Sequence, residues 1–236
     1  MRRLPIYFLV DVSESMVGTP IEQVQDGMTN FINELRKDPY SLESCFVSVI
    51  TYNSGVNSLS PLTPIFENCL PKISIGTKQE ESNESNLDNA LGTLANIIDK
   101  NVEKSIVNKK GDWKPIVYIM TNGKSNCEWS NGLAEYKSLQ LGQSIVCLTC
   151  NVIKHQTMEK LSNVTDCIVS LNDKGTKILM DALKSLYCND VVVGGTDAWK
   201  RILSPFRYVC IDPHFPNDSV NDELPPPPTE EIEVII

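Results

Sequence analysis

The sequence predicts an α/β fold: a doubly wound, mostly parallel sheet with helices on both faces and one antiparallel edge strand. Three observations carry this. Apolar runs rich in β-branched residues alternate along the chain with stretches whose apolar residues recur at helical spacing, and such alternation builds a parallel sheet covered on both sides. The runs at 4–10, 45–52 and 115–120 are continuously apolar or nearly so, as in strands buried on both faces. Pro61 falls within, and Pro64 just beyond, a weaker run, 56–62, and proline excludes a central strand there.

Each element follows in order. Residues 4–10 form the first strand. Gly18-Thr19-Pro20 is a turn, with Pro20 suited to the first turn of a helix. Ile21, Val24, Met28, Phe31, Ile32 and Leu35 mark that helix, which Asp38-Pro39 stops. Residues 45–52 are the second strand and 56–62 the short edge strand. The polar stretch 78–89 reads as a loop. Leu87, Leu91, Leu94, Ile97 and Ile98 make the next helical stripe, and 108–112 is a solvated turn. Residues 115–120 form a third strand that ends in Thr121-Asn122-Gly123. A helix around 132–141, a strand at 144–152, a short helix at 158–161, a strand at 167–171 and a helix at 175–187 complete the alternation. No internal repeat is present.

The 236 residues suffice for one sizeable domain, assigned to 1–189, and an extension, 190–236. Within the extension, 198–208 has helical character interrupted by Pro205. Pro225 to Pro228 favour polyproline II, and the last residues are apolar. This tail is either a spacer that docks on the domain or a ligand for another protein. The net charge of -9 argues against nonspecific nucleic-acid binding, which needs clustered Lys and Arg. Of eight cysteines, Cys45, Cys147, Cys150 and Cys167 lie in apolar runs, as reduced core thiols do. No stretch reaches the roughly 20 apolar residues of a membrane span, and Asp11 cuts short the only signal-like start. The expected location is the cytoplasm.

Asp11-Val12-Ser13-Glu14-Ser15 follows the first strand directly. A carboxylate and two hydroxyls spaced by two present hard oxygen ligands of the kind Mg2+ prefers. They lie where open α/β sheets bind ligands, beyond the carboxyl ends of the strands. The same residue types also close turns and cap helices. Two more loops accompany this one: Asn83-Glu84-Ser85-Asn86-Leu87 before a helix, and Met120-Thr121-Asn122-Gly123 at the end of a strand.

This arrangement resembles the von Willebrand factor type A domain. The metal-ion-dependent adhesion site of that family combines Asp-x-Ser-x-Ser with a Thr from a second loop and an Asp from a Thr-Asp-Gly loop. The resemblance implies a metal site of Asp11, Ser13, Ser15, Ser85 and Asn122. Ser85 stands at the Thr position and keeps the hydroxyl; Asn122 stands at the Asp position and removes a charge. Mg2+, or Mn2+ or Ca2+ in its place, is then held weakly in the free protein. A protein partner offering a Glu or Asp carboxylate restores the missing charge. Arg3-Leu4-Pro5-Ile6-Tyr7, Gly18-Thr19-Pro20-Ile21-Glu22, the segment from Leu35 to Glu43, and Leu224-Pro225-Pro226-Pro227-Pro228 resemble the bacterial TerY-like, tellurite-resistance-associated branch. That likeness implies a cytoplasmic interaction module, with a protein kinase and a metal-dependent Ser/Thr phosphatase as candidate partners.

Other features are weaker. Cys147 and Cys150 form a CxxC inside a strand-like run with no second pair, which favours packing over zinc or redox chemistry. His155 and His214 have no ligand-spaced neighbours. Trp113, Trp129 and Trp199 are too dispersed for a base-stacking platform. Trp129 has two readings, an aromatic partner anchor at the rim of the metal face beside Glu14 or a cap on the sheet edge. Catalysis has little support. A haloacid-dehalogenase-like phosphatase needs a second Asp where Ser13 stands, and no Walker loop or Gly-x-Ser-x-Gly elbow is present. The expectation is a non-enzymatic interaction module. A metal-free scaffold using the same loops or the tail is the alternative, and a metal-dependent hydrolase the second alternative.

Overall fold

In the computed structural model, residues 2–67, 69–73, 85–107, 110–122, 131–139, 145–149, 161, 163–164 and 168–170 are described. β1, Leu4–Asp11, is buried along its whole length because it has a parallel neighbour on each side. These are β2, Cys45–Tyr52, and β4, Ile116–Thr121, with β3 being Val56–Pro64. β3 runs antiparallel on the outer side of β2. β5, Ile145–Thr149, and β6, Ile168–Ser170, extend the sheet in parallel beyond β4. The order is β3-β2-β1-β4-β5-β6. The chain therefore winds outward in opposite directions from the β1/β4 boundary, as the predicted doubly wound class requires, with its antiparallel strand at the edge.

The pleat divides the core in two, because successive side chains point to opposite faces. Ile6, Phe8 and Val10 of β1 meet Tyr118 and Met120 of β4 on one face. α1, Thr19–Leu35, covers them with Val24, Met28, Phe31, Ile32 and Leu35. Phe8 stacks on Tyr118 with centroids 5.4 Å apart, and Phe31 sits edge-on to both. The other face collects Tyr7, Leu9, Val117 and Ile119. α3, Leu87–Asn101, closes it with Leu87, Leu91, Leu94 and Ile98, and α4, Asn131–Ser138, adds Tyr136.

Local expectations are extended or corrected at three places. α1 ends at Leu35, just before Asp38-Pro39, and the same pair also begins an element. It opens α2, Pro39–Ser44, in which Asp38 is the N-cap accepting the Ser41 N–H at 2.7 Å. Asp followed by Pro is a start signal as well as a stop signal. The described part of the 108–112 turn is not simply solvated. Gly111 is buried so closely that a Cβ there would lie 2.2 Å from the Glu103 carbonyl oxygen. Asp112 takes both Nε (2.9 Å) and Nη2 (2.6 Å) of Arg3, a fork that ties the start of β1 to the approach to β4. Finally, β3 runs past Pro61 to Pro64. The register shifts between Val47 and Val49, and the Ser60 hydroxyl accepts the Val49 N–H at 3.0 Å. A bulged edge tolerates the proline. The predicted helices at 158–161 and 175–187, the extension 190–236, Cys150, both histidines, Trp129 and Trp199 lie wholly or largely outside the described residues.

Candidate metal and partner site

β1 delivers Asp11 to the crevice where the winding reverses, and its carboxylate is fully buried. A buried charge needs partners, and three are in place. The Ser13 N–H donates to Oδ1 at 2.9 Å, closing the turn after the strand. The Ser85 hydroxyl donates to Oδ2 at 2.9 Å, and the Thr121 hydroxyl to the same oxygen at 3.1 Å. One carboxylate thus joins three segments separated by as many as 110 positions in the chain.

The first loop is shaped from both ends. The Val12 N–H donates to the Tyr52 carbonyl at 2.8 Å. Glu14–Met16 form a 3-10 turn whose Met16 side chain is buried in the core. Gly18 then adopts φ of 86°, a left-handed conformation that suits glycine, and the chain enters α1. Glu14 is exposed beside the site, and Val17 is 58% exposed. The second loop is fixed by the Asn86 N–H, which donates to the Asn53 carbonyl at 2.8 Å, and by the Asn86 side chain, which caps α3 through the Asn89 N–H. From the third loop, Asn122 is 3% exposed and its Nδ2 donates to Ser15 Oγ in a very close contact. Ser15 Oγ lies 3.1 Å from Ser13 Oγ.

All five residues of the predicted constellation, Asp11, Ser13, Ser15, Ser85 and Asn122, therefore converge in one hydrogen-bonded cluster. The donor set is one carboxylate, several hydroxyls and one amide, which suits a hard cation that keeps water and gains charge from outside. Among the described residues no three His, Cys, Asp or Glu side chains gather as an alternative metal site. With Asn122 as oriented, an N–H faces Ser15; rotation about its terminal bond presents the carbonyl oxygen instead.

Two residues gain roles that the sequence left open. Thr121 was placed in the third loop without a role of its own, yet it closes β4, and the β1/β4 register pairs Val10 with Met120 and so brings Thr121 level with Asp11. That register was the signal. Asp88, next to the second loop, turns to α4 and accepts the Gly132 and Leu133 N–H groups at 3.1 and 3.0 Å. It caps a helix other than its own. Gly132 makes this approach possible, since a Cβ there would lie 1.7 Å from the Asp88 carbonyl oxygen.

Comparison with solved structures finds the same fold in proteins of low identity. Proximal thread matrix protein 1 from the mussel byssus, with a zinc-occupied MIDAS motif, aligns with a TM-score of 0.53 at 16% identity over 79% of this chain and 48% of that chain. The pilus adhesin SpaC from Lactobacillus rhamnosus GG, in an open conformation, aligns with a TM-score of 0.55 at 14% identity over 86% and 30%. A von Willebrand factor type A protein from Catenulispora acidiphila gives 0.51 at 13% over 78% and 41%. This chain spans less than half the length of each. No curated protein sequence matches it. No described helix is long and apolar enough to cross a membrane. The family model for the von Willebrand factor type A domain matches residues 6–183, and the chain belongs to that family of protein-interaction modules.

Proposed function

We propose that this domain is a non-enzymatic interaction module whose contact face is the rim around Asp11, Ser13, Ser15, Ser85 and Asn122. A divalent cation, Mg2+ or its relatives Mn2+ and Ca2+, joins these oxygens to a Glu or Asp carboxylate of a protein partner. The observation that carries this reading is the convergence of three distant loops on one buried carboxylate at the sheet's switch point. The zinc-occupied MIDAS of the mussel protein, which shares the fold, supports a cation in such a crevice. The single carboxylate makes the site dependent on its partner for charge. The sequence likeness to the TerY-like branch suggests a cytoplasmic tellurite or stress-resistance setting, with a protein kinase and a Ser/Thr phosphatase as candidate partners.

A second reading is favoured by a specific observation. Both Asp11 oxygens already accept protein donors, and Asn122 turns an N–H to Ser15. Such a closed network describes a scaffold that binds through the same loops without metal. The metal-dependent hydrolase ranks third, because Ser13 stands two residues after Asp11, where such a phosphatase needs a second Asp. Affinity capture from the native host, with Mg2+ or with chelator, separates the readings. Metal-assisted binding predicts a partner retained only with Mg2+ and lost with Ser13→Ala. Capture that is indifferent to chelator would support the metal-free scaffold.

A further inference from the structure

Asn122 is followed by Gly123, and Asn131 by Gly132. Asparagine before glycine is prone to cyclise, because no side chain hinders attack of the next backbone nitrogen on the amide carbon. The two pairs differ in their surroundings. Gly132 is the second residue of α4, its N–H is committed to Asp88, and its Cα packs against the α3 backbone. That nitrogen is held in helical geometry. Asn122 stands just past β4 in no regular element, with its Nδ2 on Ser15 Oγ and Ser13 Oγ 3.1 Å beyond. Gly123 lies outside the described residues and enters through its covalent character alone.

We propose that Asn122 is a self-deamidation site, which converts the neutral member of the candidate metal cluster into a carboxylate. The Gly123 nitrogen gives up its proton to solvent base and bonds to Asn122 Cγ. The tetrahedral intermediate then breaks the bond from Cγ to Nδ2. The departing nitrogen takes a proton from the Ser15 hydroxyl, which is both donor and acceptor, and leaves as ammonia. Ser13 and solvent return that proton to Ser15. Water then opens the succinimide at either carbonyl, giving the α-linked acid or its β-linked isomer. Nothing is oxidised or reduced: an amide and water become a carboxylate and ammonium. The α-linked product supplies the second carboxylate that a divalent cation favours. This consequence rests on the metal-assisted reading above. The β-linked product inserts a methylene into the main chain at the end of β4 and disturbs the cluster.

The test uses the full chain, incubated at neutral and mildly alkaline pH and sampled by peptide mass mapping, with a protease that cuts only at α-linked Asp to separate the isomers. The expected result is the amide-to-acid mass gain at Asn122 and not at Asn131, faster at higher pH. It is strongly slowed in Gly123→Ala and slowed in Ser15→Ala. No gain at Asn122, or equal gain at both asparagines, overturns the proposal. Mn2+ titration of the separated fractions reads the consequence independently. Tighter binding by the α-linked acid fraction supports both ideas. A mass gain with unchanged affinity upholds the modification and overturns the cation reading instead.

Discussion

Asn122 decides how much charge the crevice holds. Substituting Asn122→Asp places a second carboxylate in the cluster around Asp11. Without metal, repulsion should lower stability by about 1 kcal/mol; with Mn2+ bound, affinity should rise about tenfold, worth roughly 1.4 kcal/mol. Thermal melts in chelator and calorimetric titration of Mn2+ check the two signs, and opposite signs would contradict the charge argument. Tyr7 gives a second prediction. Burial pushes its phenol up from 10.0 to about 12. A group whose folded pKa is raised contributes stability that is fully present below its unfolded value and is lost as pH rises through the folded one. The loss should fall between pH 10 and about 12 and amount to roughly 2–3 kcal/mol. Tyr7→Phe should flatten the stability profile in that window, as followed by melting temperature against pH. At this scale Asp11, Ser13 and Ser15 were legible because spaced hydroxyls after an apolar run are a local signal, whereas Ser85 and Asn122 were reached only through the family resemblance. Thr121 was not legible, because its place beside Asp11 depends on the register of two strands more than a hundred residues apart.

Helices α3 and α4 meet through Asp88, through the close approach of Gly92 and Gly132, and through Asn96 Nδ2, which donates to Glu135 Oε2 at 3.4 Å. Asp88→Ala removes the acceptor for two N–H groups at the start of α4 and should cost about 1–2 kcal/mol. Asp88→Asn keeps an oxygen acceptor and should recover part of that. Gly132→Ala drives a methyl group into the α3 backbone and should cost about 3 kcal/mol. Denaturant titration of the three variants checks the order: Gly132→Ala worst, Asp88→Asn mildest. The strands 45–52 and 115–120 were readable to within a residue or so because buried central strands are continuously apolar. α2 escaped because Asp38-Pro39 signals an end and a beginning alike. The α3/α4 contact escaped because nothing local distinguishes a glycine that admits a neighbouring helix from one in a turn.

Taken whole, the molecule places its site where the two directions of winding separate, and it ties the opposite end of β1 with the Arg3–Asp112 fork. The alternation of strand and helix patterns made the fold class legible, and the prolines of β3 marked the edge. The exact sheet order was not legible, since it is set by long-range pairing. The site and the fold support one another: β1, β2 and β4 carry the three ties to the first loop, through Asp11, Tyr52 and Thr121. The central claim is that these loops hold a cation. Anomalous diffraction from a crystal soaked in Mn2+ tests it most directly. The account predicts a peak beside the Ser13, Ser15 and Ser85 hydroxyls, strengthened when a carboxylate-bearing peptide is present. A clean map with the Asp11 hydrogen bonds undisturbed, at saturating Mn2+ and with the peptide, would contradict it.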